Sequence, residues 1–368
     1  MNYGLWRSTI PPTRVSKVAA AATTTTTTTT TIALSRTLIP RRFYAIQAAT
    51  PPVHQVFNRH TKWLQKERAA ANVENSRVAD YLKDEVAIRL CDRLLDIKRS
   101  YPSVLDLGAN SCNIARALTR PNPDPNPEAP VTEPLASRIG HLLAVDSSET
   151  LLYRDANQSF NSEINMTRQV LPDEETLPFE ANTFDLVLSS LSMHWINDLP
   201  GVLAQINNIL KPDCAFVGAM FGGDTLFELR TSLQLAEQER RGGISPHVSP
   251  LADVRDVGGL LQRAGFKMLT VDVDDIIVDY PDTFALMQDI QAMGENNAVL
   301  GREMGGIQRD VLLANDAIYR ELHGNEDGSI PATFRMIYMI GWKESKDQRQ
   351  PLPRGSGEIS LKDVFEKK

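Results

Sequence analysis

The sequence predicts an α/β fold in which helices cover both faces of a seven-stranded, mostly parallel sheet. Short apolar runs typical of buried strands alternate with helical patterns between residues 100 and 344. The first run, residues 104–107, passes through Asp106 into Gly108 and then into a helical pattern. A strand that enters a helix through a tight glycine turn is typical of doubly wound, nucleotide-binding α/β domains.

Each element of this fold follows from apolar spacing and from turn residues. Two helices, residues 56–71 and 75–98, precede the first strand, since Leu82, Val86 and Leu90 recur at helical spacing. Two further helices separate the sixth strand from the last one, which we expect to pair antiparallel at one end of the sheet. The predicted strands are residues 104–107, 141–146, 166–171, 184–189, 215–221, 267–278 and 332–342, and the later helices are residues 111–118, 151–157, 200–210, 282–293 and 307–322.

The same patterns divide the chain into four predicted regions. A leader is followed by a helical segment that packs on the core, then by the sheet domain, then by a tail. The sheet domain carries a proline-rich loop insertion and a helical insertion. The regions are residues 1–44, 45–99, 100–344 and 345–368, and the insertions are residues 121–137 and 281–325.

The leader has the composition of a mitochondrial transit peptide. It contains no acidic residue, is rich in Ser, Thr and Ala, and includes a run of nine threonines at residues 23–31. The segment from Arg42 to Ala45 resembles a site of the matrix processing peptidase, which would cut after Tyr44. The alternative is a disordered low-complexity tail, because a threonine run cannot bury a core.

Charge and composition exclude several classes of function. The chain has a net charge of −7, and removal of the six basic residues of the leader would take it to about −13. Such an acidic protein lacks the basic surface that nucleic acid requires. No apolar run reaches the 18 residues of a membrane span, although peripheral attachment stays open. The three cysteines, Cys91, Cys112 and Cys214, form no paired motif for a disulfide framework or a zinc site.

The glycine turn departs from the pattern of S-adenosylmethionine (SAM) enzymes, whose loop commonly reads Asp-x-Gly-x-Gly-x-Gly. Asp106 and Gly108 match, but Asn110 and Cys112 stand at the second and third glycines. Asparagine tolerates a left-handed backbone, so the turn can survive. Cys112 adds volume near the expected ligand. The sequence therefore supports the fold and leaves the binding of SAM open.

Acidic residues follow three neighbouring strands, where ligands bind in open parallel sheets. Asp106 is placed to bind water or the amino group of a ligand, Asp146 to accept from ribose hydroxyls, and Asp173 to accept from an adenine amino group. Gly108, Asn110 and Ser190 complete the predicted cofactor-binding set. The alternative is that these acids only cap helices and turns.

Four residues are candidates for catalysis, and all of them are predicted on loops or helix starts after strands four and five. His194 could act as a general base, bind a metal or play a structural role. Asp224 follows two glycines and is placed to cap the next helix, which also carries Glu228. His247 lies in a Ser-Pro-His-x-Ser-Pro loop that could form a lid. The two histidines with Asp224 or Glu228 could also form a two-histidine, one-carboxylate iron site.

Several of these segments resemble one family. They read FDLVLSSLSMHWINDLP at residues 184–200, GAMFGGDTL at residues 218–226 and NEDGSIPAT at residues 325–333. With residues 56–70, they are similar to the mitochondrial complex I assembly factor 5 family, arginine hydroxylases built on the Rossmann-like class I methyltransferase fold. The resemblance covers roughly residues 55–344. More distantly, it extends to malonyl-carrier-protein methyltransferases of biotin synthesis.

The resemblance implies a matrix enzyme that hydroxylates an arginine of the iron-sulfur, quinone-site subunit of complex I, at the inner membrane. Asp224 and Glu228 would then bind the guanidinium group, which carboxylates hold bidentately. A SAM-dependent methyltransferase and a non-catalytic assembly chaperone with the same fold are the alternatives. The oxygen donor and any iron cofactor are left open, since no signature of a haem, flavin or strong iron site is present.

Overall fold

A computed structural model describes residues 54–121, 133–301, 306–346 and 348. The predicted transit peptide lies outside the described residues. So do most of the proline-rich insertion and most of the tail.

The sheet contains seven strands, and their order confirms the predicted doubly wound fold. The first five strands run parallel in the order β3-β2-β1-β4-β5, and two antiparallel pairings add β7 and then β6. The strands are β1 (Tyr101–Leu107), β2 (Ile139–Asp146), β3 (Met166–Val170), β4 (Phe184–Ser190), β5 (Leu210–Phe221), β6 (Phe266–Tyr280) and β7 (Ile330–Lys343).

The antiparallel pairing of the last strand is confirmed, but its place at the end of the sheet is wrong. β7 lies between β5 and β6, and β6 forms the edge. The burial of the two strands explains this order. Most residues of β7 are buried, as in a strand paired on both sides, whereas exposed and half-buried residues predominate along β6.

Ten helices are present in the described part of the chain. They are α1 (Arg59–Ala71), α2 (Val73–Val78), α3 (Tyr81–Leu95), α4 (Asn113–Thr119), α5 (Glu149–Tyr153), α6 (Leu199–Ile209), α7 (Phe227–Arg241), α8 (Val254–Arg263), α9 (Thr283–Met293) and α10 (Arg309–His323). None of them combines the length and the apolar composition needed to cross a membrane.

The single helix predicted at residues 75–98 is two helices in the structure. The break comes at Asp80, a buried carboxylate that accepts hydrogen bonds from Ser111 Oγ (2.8 Å) and from Arg154. These partners come from other parts of the chain, so periodicity within the segment could not reveal the break. The turn between α2 and α3 brings Lys83 toward the loop after β1, where it contacts Asn110.

The core lies on both faces of the sheet. Successive residues of β5 point to opposite sides, so that Val217 joins one apolar cluster and Phe216 the other. The helices α3, α4 and α9 cover the first face, and α6 and α8 cover the second. At the carboxyl ends of the parallel strands, α1 packs against α5 and α9. This placement brings the basic residues of α1 to the edge where ligands bind in such folds.

The turn after β1 has room for glycine alone at Gly108. Its φ is +72°, and a Cβ atom there would lie 2.1 Å from Ser192 Oγ and 2.2 Å from Ser192 Cβ. Gly108→Ala should therefore lower the free energy of unfolding by about 2 to 4 kcal/mol, through the left-handed backbone and overpacking. Denaturant titration measures the change.

The matched control is Gly259→Ala in α8, where an added Cβ meets nothing within 4 Å. That substitution should stabilise the protein by about 0.5 to 1 kcal/mol, because alanine is the better helix former. Equal effects of the two alanines would show that the turn does not need glycine at position 108.

Candidate functional site

A cleft of about 700 Å³ opens beside the carboxyl ends of β4 and β5. Residues of α1, α7 and α9 line it, together with the loop after β4 and residues 247–251. Its walls are mixed, and their charged or titratable side chains are Arg68, His194, Arg241, His247 and Glu295. The apolar lining includes Phe221, Leu229, Leu233, Met287, Ile290 and Phe334.

The first pair is His194 with Glu295, which follows α9. One carboxylate oxygen of Glu295, Oε2, accepts a 2.6 Å hydrogen bond from Trp195 Nε1 and lies 3.3 Å from His194 Nε2. The other oxygen, Oε1, has no hydrogen-bond partner, and the closest cation is Lys83 Nζ at 3.6 Å. Oε1 is therefore a buried acceptor that is paired with Lys83 by charge but makes no hydrogen bond.

The surroundings keep this pair in defined charge states. The pKa of Glu295 lies well below its ordinary value. Burial alone would raise it, but the His194 hydrogen bond and the charges of Lys62 and Lys83 lower it by more. Burial lowers the pKa of His194, against the opposing effect of Glu295. A neutral His194 that donates Nε2–H to Glu295 presents Nδ1 as a proton acceptor, and this atom has no partner.

The second pair joins His247 to Glu237 of α7, with 2.6 Å between Nε2 and Oε1. His247 lines the cleft, within the segment for which the sequence predicts a lid. Two hydrogen bonds to Asn297 hold that segment in place, one from Ser249 Oγ at 3.1 Å and one to the Pro246 carbonyl at 2.6 Å. The segment therefore forms a fixed wall of the cleft in this structure.

Asp224 and Glu228 do not line the cleft. Asp224 is largely exposed and forms an ion pair with Arg335 of β7, which also binds Asp275. Glu228 is buried and accepts hydrogen bonds from the backbone and hydroxyl of Thr333, also on β7. The predicted acidic pocket is therefore not formed, because β7 satisfies both carboxylates. Asp224 also does not cap α7 through its side chain.

The interpretation as a two-histidine, one-carboxylate iron site is likewise not supported. Each of the four residues has its own separate partner. Within the described ranges, no three histidine, cysteine or acidic side chains converge on a point where a metal ion could bind.

The turn after β1 keeps the shape of a glycine-rich loop without the glycines. Gly108, Asn110 and Cys112 all have positive φ, at +72°, +52° and +62°. This confirms that asparagine can supply the left-handed backbone here. Asn110 Nδ2 donates to the carbonyls of Gly108 and Ser190, both at 3.1 Å, which ties the loop to the end of β4.

Cys112 does not add volume beside a ligand, contrary to expectation. Its side chain is fully buried in the apolar core, and its Sγ lies 3.9 Å from the Leu152 carbonyl oxygen. The residue that replaces the third glycine of the motif is therefore accommodated on the core side of the loop.

The acids at the ends of β1 and β2 are both fully buried, but their environments differ. Neither carboxylate oxygen of Asp106 has a hydrogen-bond partner, and burial, with the charge of Asp146, raises the pKa of Asp106 to about 8. Asp146 is fully satisfied. Lys66 Nζ lies 3.1 and 2.9 Å from its two oxygens, and the N–H groups of Ser148 and Asn110 each donate to it at 2.9 Å.

The third acid at this edge is Glu174 rather than the predicted Asp173. Asp173 is exposed and accepts from Glu175 N–H and Thr176 Oγ in its own turn. Glu174 is buried, forms an ion pair with Arg59 and lies 3.7 Å from Lys66 Nζ. Burial raises the pKa of Glu174, but Lys66 and Arg59 together lower it to about 2.

These contacts show how far the residues fit SAM. The loop backbone fits, and the unpartnered Asp106 carboxylate could accept from an amino group. Asp146 does not fit, because an ammonium and two backbone N–H groups already occupy both oxygens. In this arrangement the edge does not accommodate a ribose at Asp146.

Sequence reasoning missed five residues at this edge: Arg59, Lys62, Lys66, Glu174 and Glu295. A signal for three of them was present. Arg59, Lys62 and Lys66 recur every three or four residues and so share one face of α1. Burial lowers the pKa of Lys62 well below its ordinary value. Its Nζ donates to the carbonyls of Gly294 and Asn296 and lies 3.4 Å from the centre of the Trp195 ring.

Comparison with known proteins gives three kinds of similarity. Residues 128–218 match the family model described as a methyltransferase domain. The chain is 49% identical over 314 residues to the human protein named arginine-hydroxylase NDUFAF5, mitochondrial, covering 85% of this chain and 84% of that protein. It is 32% identical to a malonyl-[acyl-carrier protein] O-methyltransferase of Laribacter hongkongensis, over 78% of this chain and 91% of that one. Among solved structures, the YcgJ protein of a Bacillus species aligns with a TM-score of 0.47 at 14% identity, over 70% of this chain and 98% of that one.

The raised pKa of Asp106 predicts a specific pH dependence of stability. The unfolded carboxyl ionises near pH 4, whereas the folded one keeps its proton to about pH 8. Between these values the folded state binds more protons, so this group makes stability fall as pH rises, by at most about 1.4 kcal/mol per unit. Asp106→Asn removes the effect. Denaturant titrations from pH 5 to pH 9 should show that the free energy of unfolding of the variant rises relative to that of the native chain up to about pH 8, and that the difference is constant above it. A constant difference would contradict an unpartnered, protonated Asp106.

Proposed function

The chain belongs to the family of mitochondrial NDUFAF5 arginine hydroxylases, and from this membership we propose that it is a mitochondrial enzyme that hydroxylates an arginine side chain of a partner protein. The substrate arginine enters the cleft beside β4 and β5. The observation that carries this placement is the anionic Glu295 in the lining of the cleft. Its buried Oε1 makes no hydrogen bond, and a guanidinium group would replace Lys83 Nζ, which lies 3.6 Å from this oxygen.

Glu295 is the proposed acceptor for the guanidinium group. Its Oε2 is held by Trp195 and His194, so the carboxylate is fixed in position before a substrate arrives. A guanidinium that donates to Oε1 would gain a charge-assisted hydrogen bond in a site largely shielded from water.

The apolar walls suit the rest of an arginine side chain. The stem of arginine is three methylene groups, which pack on surfaces such as those of Leu233, Met287 and Ile290. His194 stands beside Glu295, and its unpartnered Nδ1 could accept a proton there. His247 also lines the cleft and remains a candidate for contact with the substrate.

Hydroxylation requires an oxidant, and we assign dioxygen with a two-electron reductant as the chemical class. One oxygen atom is inserted into a bond to hydrogen in the arginine side chain. The other takes two electrons and two protons and leaves as water. The side chains described above bind and orient the substrate and hold a proton. None of them is assigned the activation of oxygen.

The partner protein and the cellular location are inferred from the family resemblance found in the sequence. We propose that the substrate is the iron-sulfur subunit at the quinone site of complex I, modified in the matrix during assembly. Assembly of complex I at that place would bring the protein into peripheral contact with the inner membrane.

The modification itself can be tested by peptide mass spectrometry. The iron-sulfur, quinone-site subunit is purified from cells with and without this protein. We expect one arginine to carry one extra oxygen only when the protein is present. An extra methyl group would instead indicate SAM-dependent methylation, and an unmodified subunit with failed assembly would indicate a chaperone.

The placement of the guanidinium group predicts unequal effects of two acidic residues. Glu295→Gln should reduce arginine hydroxylation roughly thirtyfold or more, because it removes the buried charge that faces the substrate cation. Asp224→Asn is the matched control. Since Asp224 is exposed and paired with Arg335, its loss should leave hydroxylation nearly unchanged.

Both variants are first compared with the native chain by thermal unfolding, so that activity is measured only on folded protein. Full activity of folded Glu295→Gln would refute the proposed binding mode. Loss of activity in Asp224→Asn alone would move the guanidinium site to Asp224.

A further inference from the structure

The carboxyl edge of β2 contains a cation of the chain itself. Lys66 of α1 is buried, and its Nζ lies 2.9 and 3.1 Å from the two oxygens of Asp146. In nucleotide-binding α/β folds, the acid at the end of the second strand accepts hydrogen bonds from ribose hydroxyls. Lys66 therefore contacts the oxygens that a ribose would need.

Asp146 has no capacity left for another donor. Besides Lys66, the backbone N–H groups of Asn110 and Ser148 each donate to one of its oxygens at 2.9 Å. The carboxylate is fully buried, and Glu174 lies 3.7 Å from the same ammonium. A ribose can reach Asp146 only if Lys66 leaves.

Displacement of Lys66 has a defined energetic consequence. Separating a buried ion pair leaves charges without partners, which is strongly unfavourable unless new partners replace the old ones. The incoming ribose hydroxyls are neutral donors and supply less than the ammonium they replace. Glu174 is the nearest alternative partner for Lys66, since its Oε1 lies 3.7 Å from Nζ while Arg59 binds its other oxygen, Oε2.

Other features of a nucleoside site are kept at this edge. The turn after β1 keeps its left-handed residues, and Asp106 has no partner for its carboxylate. The loop is closely packed, since Asp106, Asn110 and Asp146 are all buried. Among the polar contacts here, the pair between Lys66 and Asp146 is the one that occupies the acceptors of a ribose.

We propose that Lys66 is an internal competitor for the ribose position, so that SAM binds this chain only by displacing the Lys66 ammonium from Asp146. This inference concerns the nucleoside site and does not depend on the proposed arginine hydroxylation. It predicts that removal of the ammonium strengthens the binding of SAM and of S-adenosylhomocysteine.

The test measures the affinity of the full chain for S-adenosylhomocysteine by isothermal titration calorimetry. Lys66→Met removes the ammonium while keeping most of the side-chain volume. We expect its Kd to fall roughly tenfold or more below that of the native chain, which corresponds to about 1.4 kcal/mol. Lys66→Gln keeps an amide donor for Asp146. It is expected to fold even where Lys66→Met does not, and its Kd should fall in the same direction.

Two controls isolate the pair. Lys62→Gln changes another buried lysine of α1, whose Nζ binds the carbonyls of Gly294 and Asn296 and makes no contact with Asp146. Its Kd should stay within roughly twofold of the native value, since Asp146 stays occupied. Adding Asp146→Asn to Lys66→Met should abolish the gain.

Four results would overturn the proposal. One is an unchanged or weaker affinity in both Lys66 variants, and another is a complete absence of binding in both. The third is an equal gain in Lys62→Gln, which would show that a general loosening of α1 is responsible. The fourth is a gain that persists with Asp146→Asn, which would mean that the ribose does not use this carboxylate.

Discussion

The arrangement at the carboxyl edge of the sheet depends on the buried ion pair between Lys66 and Asp146. The pair joins α1 to the end of β2 and, through the N–H of Asn110, to the turn after β1. Because both charges are almost completely buried, removing either one would leave the other without a partner and destabilise the fold. Glu174 and Arg59 extend the pair to the loop after β3.

Buried charges of opposite sign also neutralise one another around the cleft. Glu295 lies among Lys62, Lys83 and His194, and these neighbours keep it ionised despite its burial. Trp195 links the two regions, since its Nε1 donates to Glu295 while its carbonyl accepts a hydrogen bond from Arg59. A substrate cation at Glu295 would take the place of Lys83, which lies 3.6 Å from Oε1.

The cleft and the nucleoside edge make different use of one helix. α1 places Gln65 and Thr61 along the cleft and Lys66 at Asp146. The cleft is open in this structure, whereas Lys66 occupies both oxygens of Asp146.

Local pattern was sufficient for the sheet itself. The apolar runs predicted all seven strands, and the tolerance of asparagine for a left-handed backbone predicted that the turn at Asn110 would survive. Such features depend on a residue and its immediate neighbours. The position of β7 inside the sheet was not predictable in this way, because it depends on which strand covers which edge.

Only the tertiary structure shows which side chains are partners. Lys66 meets Asp146 across 80 residues of sequence, and Trp195 meets Glu295 across 100. Asp173 and Glu174 are adjacent acids, and only the approach of α1 selects the second as the buried one. Spacing along a sequence shows which side chains could share a face. Which charges neutralise one another is a property of segments that meet in space, because a buried charge is stable only beside a partner.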